Sequence, residues 1–239
     1  VGNANAATTL TSAGNITQTA GTVSGSDVIL DSITGVGGGT GARVATAAAS
    51  LAARSTTSGG VFVNETDVVT LKTLSGVANA AAGGGAYDLT AGGTISVANT
   101  VNVAAATGST TLGTSAGNIA LGANVGNAGG ITTLTSAGDI TQTAGTVNGG
   151  SLLLDAVTAI GTGAARISIN TGTLAARTGA GASGGIFVTG AGDLVINTVG
   201  AVAGVSAGNG GAADISTTAG DITLTGNVAA SGAGNVTLI

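Results

Sequence analysis

The sequence contains no cysteine, histidine, proline, methionine or tryptophan, and only one tyrosine and two phenylalanines in 239 residues. Without cysteine there is no disulfide framework, no thiol nucleophile and no cysteine-ligated zinc. Without histidine the chain lacks the usual general base, the usual metal ligand and the side chain that titrates near neutrality. Charge is scarce as well: Asp, Glu, Lys and Arg make up 6% of the residues, against roughly 25% in an ordinary globular protein. Five scattered cations on a chain of net charge −5 form no basic stripe, so nucleic acid is not an expected partner. No apolar run approaches the about 18 residues of a membrane span, and the most apolar run, 44–53, is broken by Thr46 and Ser50. The chain opens on Val1 with no charged segment ahead of an apolar one, so no signal peptide is expected and it reads as a mature product or an excised segment.

What is present is glycine, 46 residues of it, together with small and β-branched apolar side chains. The hydrophobic fraction is 43% and the mean hydropathy is +0.55. Disordered chains combine low hydrophobicity with high net charge, and this composition is the opposite. Val, Ile, Leu, Ala and Thr favour strands and fill a narrow core in thin layers.

The dominant feature is an internal repeat. Thr8–Val23 and Thr132–Val147 are identical but for Asn15 against Asp139, an offset of 124 residues. The correspondence continues through Asp31 and Asp155, Leu51–Arg54 and Leu174–Arg177, Gly60–Val63 and Gly185–Val188, and Asp88 and Asp214. Residues 1–131 form a first super-repeat and 132–239 a second, incomplete one within one continuous rod. Inside each copy the phrase Ala-Gly-Asp/Asn followed by Ile, Leu or Val recurs, as in Ala13–Ile16, Ala137–Ile140 and Ala219–Ile222. Apolar–polar alternation follows it, which is the signal of a half-buried strand. Its Gly and Asx residues supply the positive φ of a turn.

Strands of about four to six residues, with no amphipathic helical pattern between them, exclude βαβ units. The Ala-rich run 44–53 admits a helical turn or a strand carrying Ala inward, and the strand is expected. Two all-β architectures remain, a string of β-sandwiches or a right-handed parallel β-helix of roughly 20–25 residues per coil. The near absence of aromatic side chains and the unequal spacing of the Ala-Gly phrases favour the β-solenoid, with on the order of eleven coils and about 50 Å of rod. Stacking puts like residues above one another, and stacked like charges repel. That constraint explains the shortage of charge.

Phrases such as Ser136-Ala137-Gly138-Asp139-Ile140 and Gly234-Asn235-Val236-Thr237-Leu238 resemble the β-helical repeat regions of filamentous haemagglutinin-like exoproteins, the bacterial adhesins exported by two-partner secretion. The resemblance spans nearly the whole chain and lies in composition and repetition. It implies an extracellular or cell-surface location and a rod-like structural or adhesive role, and it identifies no receptor.

Several residue sets are candidate sites. Asp27 with Asp31, and Glu65 with Asp67, are carboxylate pairs of the kind that runs glycoside hydrolysis. Neither pair recurs, since Ser151 and Gly190 stand at or near the matching positions of the second copy. Calcium needs six to eight oxygen ligands, and one recurring acid per copy does not supply them. Thr-x-Thr triplets suggest an ice-binding face, but Thr9–Thr11 and Thr17–Thr19 lie eight residues apart across a turn and should fall on different faces. The residues singled out are Arg43, Arg54, Arg166 and Arg177, with Asp31 and Asp155, as contacts between coils or between subunits. No catalytic, metal or cofactor residue is assigned, and no cofactor is expected.

The expected function is a non-catalytic structural segment of an extracellular bacterial fibre or adhesin. Its expected partner is itself, because neither end carries a polar cap and an open solenoid end exposes unpaired backbone. Head-to-tail stacking that does not close gives a filament. Surface glycans of a host or neighbouring cell are a further partner class. A polysaccharide-binding or polysaccharide-cleaving β-helix and an ice-binding solenoid are the alternatives.

Overall fold

The computed structural model describes residues 1–98, 103–181 and 183–239. These form a parallel β-solenoid of about 10 turns with 58% strand and no helix. Apart from the antiparallel pair Thr198–Val199 and Val202–Ala203, strands pair in parallel with strands about one coil earlier or later. The ladder steps from Thr110 to Thr132, Leu152 and Leu174 in rungs of 20 to 22 residues, and from Val61 to Tyr87 in 26.

Three inward columns fill the core. One runs Val44, Val63, Leu89, Leu112, Leu134, Leu154 and Ala176. The second runs Val69, Ile95, Ile119, Ile140, Ile160 and Ile186. The third runs Val103, Val125, Val147 and Ile169. All are buried. A cross-section only a few side chains wide has no room for many rings. Tyr87 is the one aromatic that is fully buried, and its hydroxyl donates to Asn79 Oδ1 at 2.9 Å.

Five strands run ten or twelve residues, longer than the alternation in the sequence implies: Val23–Ser32, Val44–Ser55, Val125–Ser136, Val147–Ala156 and Ile167–Thr178. Each passes round a corner without breaking. In Val23–Ser32 the first residues pair with Gly2–Asn3 and the last with Thr8–Ser12. Gly25 and its repeat mate Gly149 sit at the bend, where a Cβ would fall 2.7 Å from Asp27 O and 2.6 Å from Ser151 O. The Ala-rich run is strand, with Ala48 and Ala53 in the core.

The Ala-Gly-Asx phrase does a different job from the one its composition suggests. Gly117 and Gly220 take positive φ, whereas Gly14 and Gly138 do not. The Asx side chain instead reaches a neighbouring coil. Asn118 Oδ1 accepts from Asp139 N at 2.8 Å, Asp193 Oδ1 from Asp221 N at 2.9 Å, and Asn15 Oδ1 from Thr34 Oγ1 at 2.6 Å. The preceding hydroxyl closes the turn, as Ser136 Oγ does on Asp139 O.

The 124-residue repeat is not a whole number of coils. The column that starts at Leu10 passes through Leu30 and Ala53. It continues in register with Arg54–Ala80–Ala104 to Val125 and Val147. Leu134, the repeat mate of Leu10, stands instead in the column of Leu112 and Leu89. One super-repeat therefore winds through five turns and about a third, and equivalent residues lie on adjacent faces of the rod.

Truncation of Leu134 to alanine in the middle of its column should cost about 2–5 kcal/mol through lost burial and an uncollapsed cavity. Chemical denaturation of L134A against the parent checks this, and a cost below about 1 kcal/mol would contradict the packed column.

Candidate functional site

All five cations of the chain meet a carboxylate on another coil: Arg43 with Asp88, Arg54 with Asp31, Lys72 with Asp27, Arg166 with Asp214 and Arg177 with Asp155. They fall into two recurrent kinds. Arg43 and Arg166 are clamps across three coils. Arg43 Nη1 donates to Val63 O and Asp88 O at 3.1 and 3.0 Å, and its Nη2 lies 2.8 Å from Asp88 Oδ2. Arg166 donates to Val188 O, Thr189 Oγ1, Asp214 O and the Asp214 carboxylate. The planar fork of five donors suits stacked carbonyls. Arg43 and Arg166 thus pair with Asp88 and Asp214 and do not approach Asp31 or Asp155.

Arg54 and Arg177 make side-on, two-bond pairs with the coil before. Arg54 Nε and Nη2 donate to the two Asp31 oxygens at 2.7 and 3.0 Å. Arg177 does the same to Asp155 at 2.9 and 2.7 Å. The hydrogen bonds and charge of Arg54 hold the Asp31 carboxyl below its usual range, and Asp155 in turn raises the Arg177 guanidinium. Each pair lines an open groove at a corner of the rod. The first groove includes Thr11, Ser12, Asp31, Ile33 and Arg54, and the second Thr135, Ser136, Asp155, Val157 and Arg177. These are repeat-equivalent positions, so both copies present the same groove on different faces. Ile33 and Val157 are exposed.

Beside each groove an outward hairpin folds back onto the sheet, a feature the repeat pattern did not announce. Leu74 and Val77 pack on Ile29 and Ala52, and Val199 and Val202 pack on Leu153 and Ala175. Outward-facing Ile29 and Leu153, polar positions in a simple alternation, were the available signal. The first hairpin turns on Ser75 and Gly76, both at positive φ, the pattern of a type I′ turn. The second has positive φ at Gly200 alone, as in type II′. Asn79 ties down the base of the first hairpin, accepting from Ala53 N and Tyr87 Oη and donating to Leu51 O and Lys72 O.

Of the two carboxylate pairs of the sequence, Asp27 and Asp31 have separate partners, whereas Asp67 stays beside Glu65. Asp27 faces Lys72 at 3.2 Å while Asp31 faces Arg54. Glu65 is buried and accepts from Thr46 Oγ1, Ala48 N and Thr66 N at 2.7 to 3.1 Å. Burial, helped by a hydrogen bond shared with the Asp67 carboxyl, raises its pKa against those hydrogen bonds. Among the described residues no group of three acids gathers as a cation would require. The Thr133–Thr135 positions stack on Thr111 and Gly113 below and on Leu153 and Asp155 above, so this triplet belongs to no flat threonine array running from coil to coil.

Two predictions follow from the charges. Arg43→Ala leaves Asp88, whose Oδ1 is already without a partner, with no counter-charge, at a cost of about 3 kcal/mol. Arg177→Ala breaks a half-exposed pair and should cost below about 1 kcal/mol. Denaturation of the two variants side by side measures the difference, and equal costs would contradict it. The raised Glu65 pKa means that the folded state holds its proton more tightly than the unfolded one. Its contribution is therefore greatest below the ordinary carboxyl range, near pH 4.5 or lower, and declines as pH rises through the folded value. Glu65→Gln should flatten the fall in stability over that window, read from denaturation midpoints at stepped pH; an unchanged slope would count against the assignment. Comparison with known proteins finds no matching family model, no matching curated protein and no matching solved structure.

Proposed function

We propose that this chain is a non-catalytic rod segment of an extracellular bacterial fibre or surface adhesin of the filamentous haemagglutinin-like kind. The observation that carries this reading is the use made of charge. Every cation is engaged in a bond between coils, and three apolar columns run through both copies without a break at residues 131 and 132, which lie inside a single strand. Such a construction stiffens an axis. Asp27 and Asp31 are each paired with a cation, and Glu65 is buried with its oxygens taken by Thr46, Ala48 and Thr66, which favours a structural role over glycoside hydrolysis.

In the proposed fibre, Leu224, Val236 and Leu238 of the last coil, each half exposed, are covered by a further coil of the same kind, in the same chain or in a second copy. Head-to-tail stacking of this type is open-ended. Electron microscopy of the purified chain over a hundredfold range of concentration should show rods of constant width whose length grows with concentration. Single short particles at every concentration would overturn self-assembly.

A further inference from the structure

The two copies are each other's control, and they differ at one place in a way that opens a site. In the first copy the remaining end of the Arg54 guanidinium is covered: Nη1 donates to Gly76 O of the adjacent hairpin at 3.3 Å. In the second copy the matching turn has only one residue at positive φ, which turns its peptide planes another way. Arg177 Nη1 then has no partner among the described residues, and the side chain is 49% exposed against 32% for Arg54. The coil after Arg177 carries Ser206 in register, where the coil after Arg54 carries Ala80. The cavity beside Arg177 runs on past Ser206 to Ser231, whereas in the first copy the matching stretch past Ala80 is lined almost wholly by alanine.

We propose that this second groove binds a carboxylate-bearing saccharide. The pair with Asp155 uses Nε and one hydrogen of Nη2. The Nη1–Nη2 end of the guanidinium remains as a planar two-donor fork, the geometry that takes both oxygens of an oxyanion. Asp155 holds the fork in place and cancels most of its long-range field, so recognition is short-range and geometric. Around it stand the hydroxyls of Thr135 and Ser206, with Ser231, which donates to Ala207 O and keeps its acceptor lone pairs, a row of polar groups suited to the hydroxyls of a sugar ring. The exposed Val157 offers an aliphatic surface to the ring's apolar face. The assignment is independent of the fibre reading, because it concerns one groove and not the ends of the rod.

NMR titration of the full chain with glucuronate, glucose and inorganic sulfate tests it. Glucuronate at millimolar concentration should shift the Ser206 amide and the Arg177 Nε–H signal, with glucose giving no comparable shift and sulfate binding at least threefold more weakly. Arg177→Ala should abolish the response. Ser206→Ala, which installs the residue the first copy already tolerates, should weaken it about threefold or more. Arg54→Ala should leave it unchanged. Equal responses to glucose or to sulfate, shifts that survive Arg177→Ala, or equal sensitivity to Arg54→Ala would each overturn the proposal.

Discussion

The parallel hydrogen-bond ladder between successive coils governs everything else in this molecule. It fixes each residue above a counterpart 19 to 29 positions away, about 4.8 Å distant. At that spacing like charges are costly and like apolar or hydroxyl groups are favourable. The poverty of charge, the leucine and isoleucine columns and the threonine and asparagine links are therefore consequences of one geometry. Glycine is plentiful for a related reason: where coils crowd at a corner, as at Gly138 beside Asn118 Oδ1 and Gly117 O, there is no room for a Cβ.

The same ladder makes the few charges informative. Five acids are consumed by the five cations. Glu65, Asp67, Asp139, Asp193 and Asp221 remain, and they account for the net charge of −5. The side-on pairs at Arg54 and Arg177 place opposite signs on neighbouring coils, and the clamps at Arg43 and Arg166 place them two coils apart, the arrangement of opposite signs that a stacked column of charge rewards. Burying the stems of these arginines against the sheet adds packing to the Coulomb attraction.

Much of this was legible in the sequence. The solenoid could be read from the recurring Ala-Gly-Asx phrases and the scarcity of rings, because both follow directly from coil stacking. The recurrent Asp and Arg residues stood out for the same reason. Partner choice was not legible: nothing in the spacing distinguishes Asp31 from Asp88 as the mate of Arg43, because coil lengths vary and register is set by the whole core. The hairpins at Leu74–Val77 and Val199–Val202 were hidden inside what looked like ordinary coil. Their signal, an apolar residue on the outward side of a strand at Ile29 and Leu153, is a single departure from alternation. The corner-rounding strands were missed because glycine at 25 and 149 reads as a break, although its backbone stays extended there and it serves only to avoid a clash.

The fractional winding of the repeat governs how the rod meets its surroundings. Had the unit been five whole coils, every equivalent notch would point the same way, and the particle would have a front and a back. With a third of a turn left over, any array of such units sets its notches out like steps of a spiral stair. Orientation would be restored only after three units, about sixteen coils or on the order of 77 Å at the spacing of stacked strands. Such a shaft has no privileged side, and from whichever quarter a neighbour approaches, one unit in three is already turned toward it.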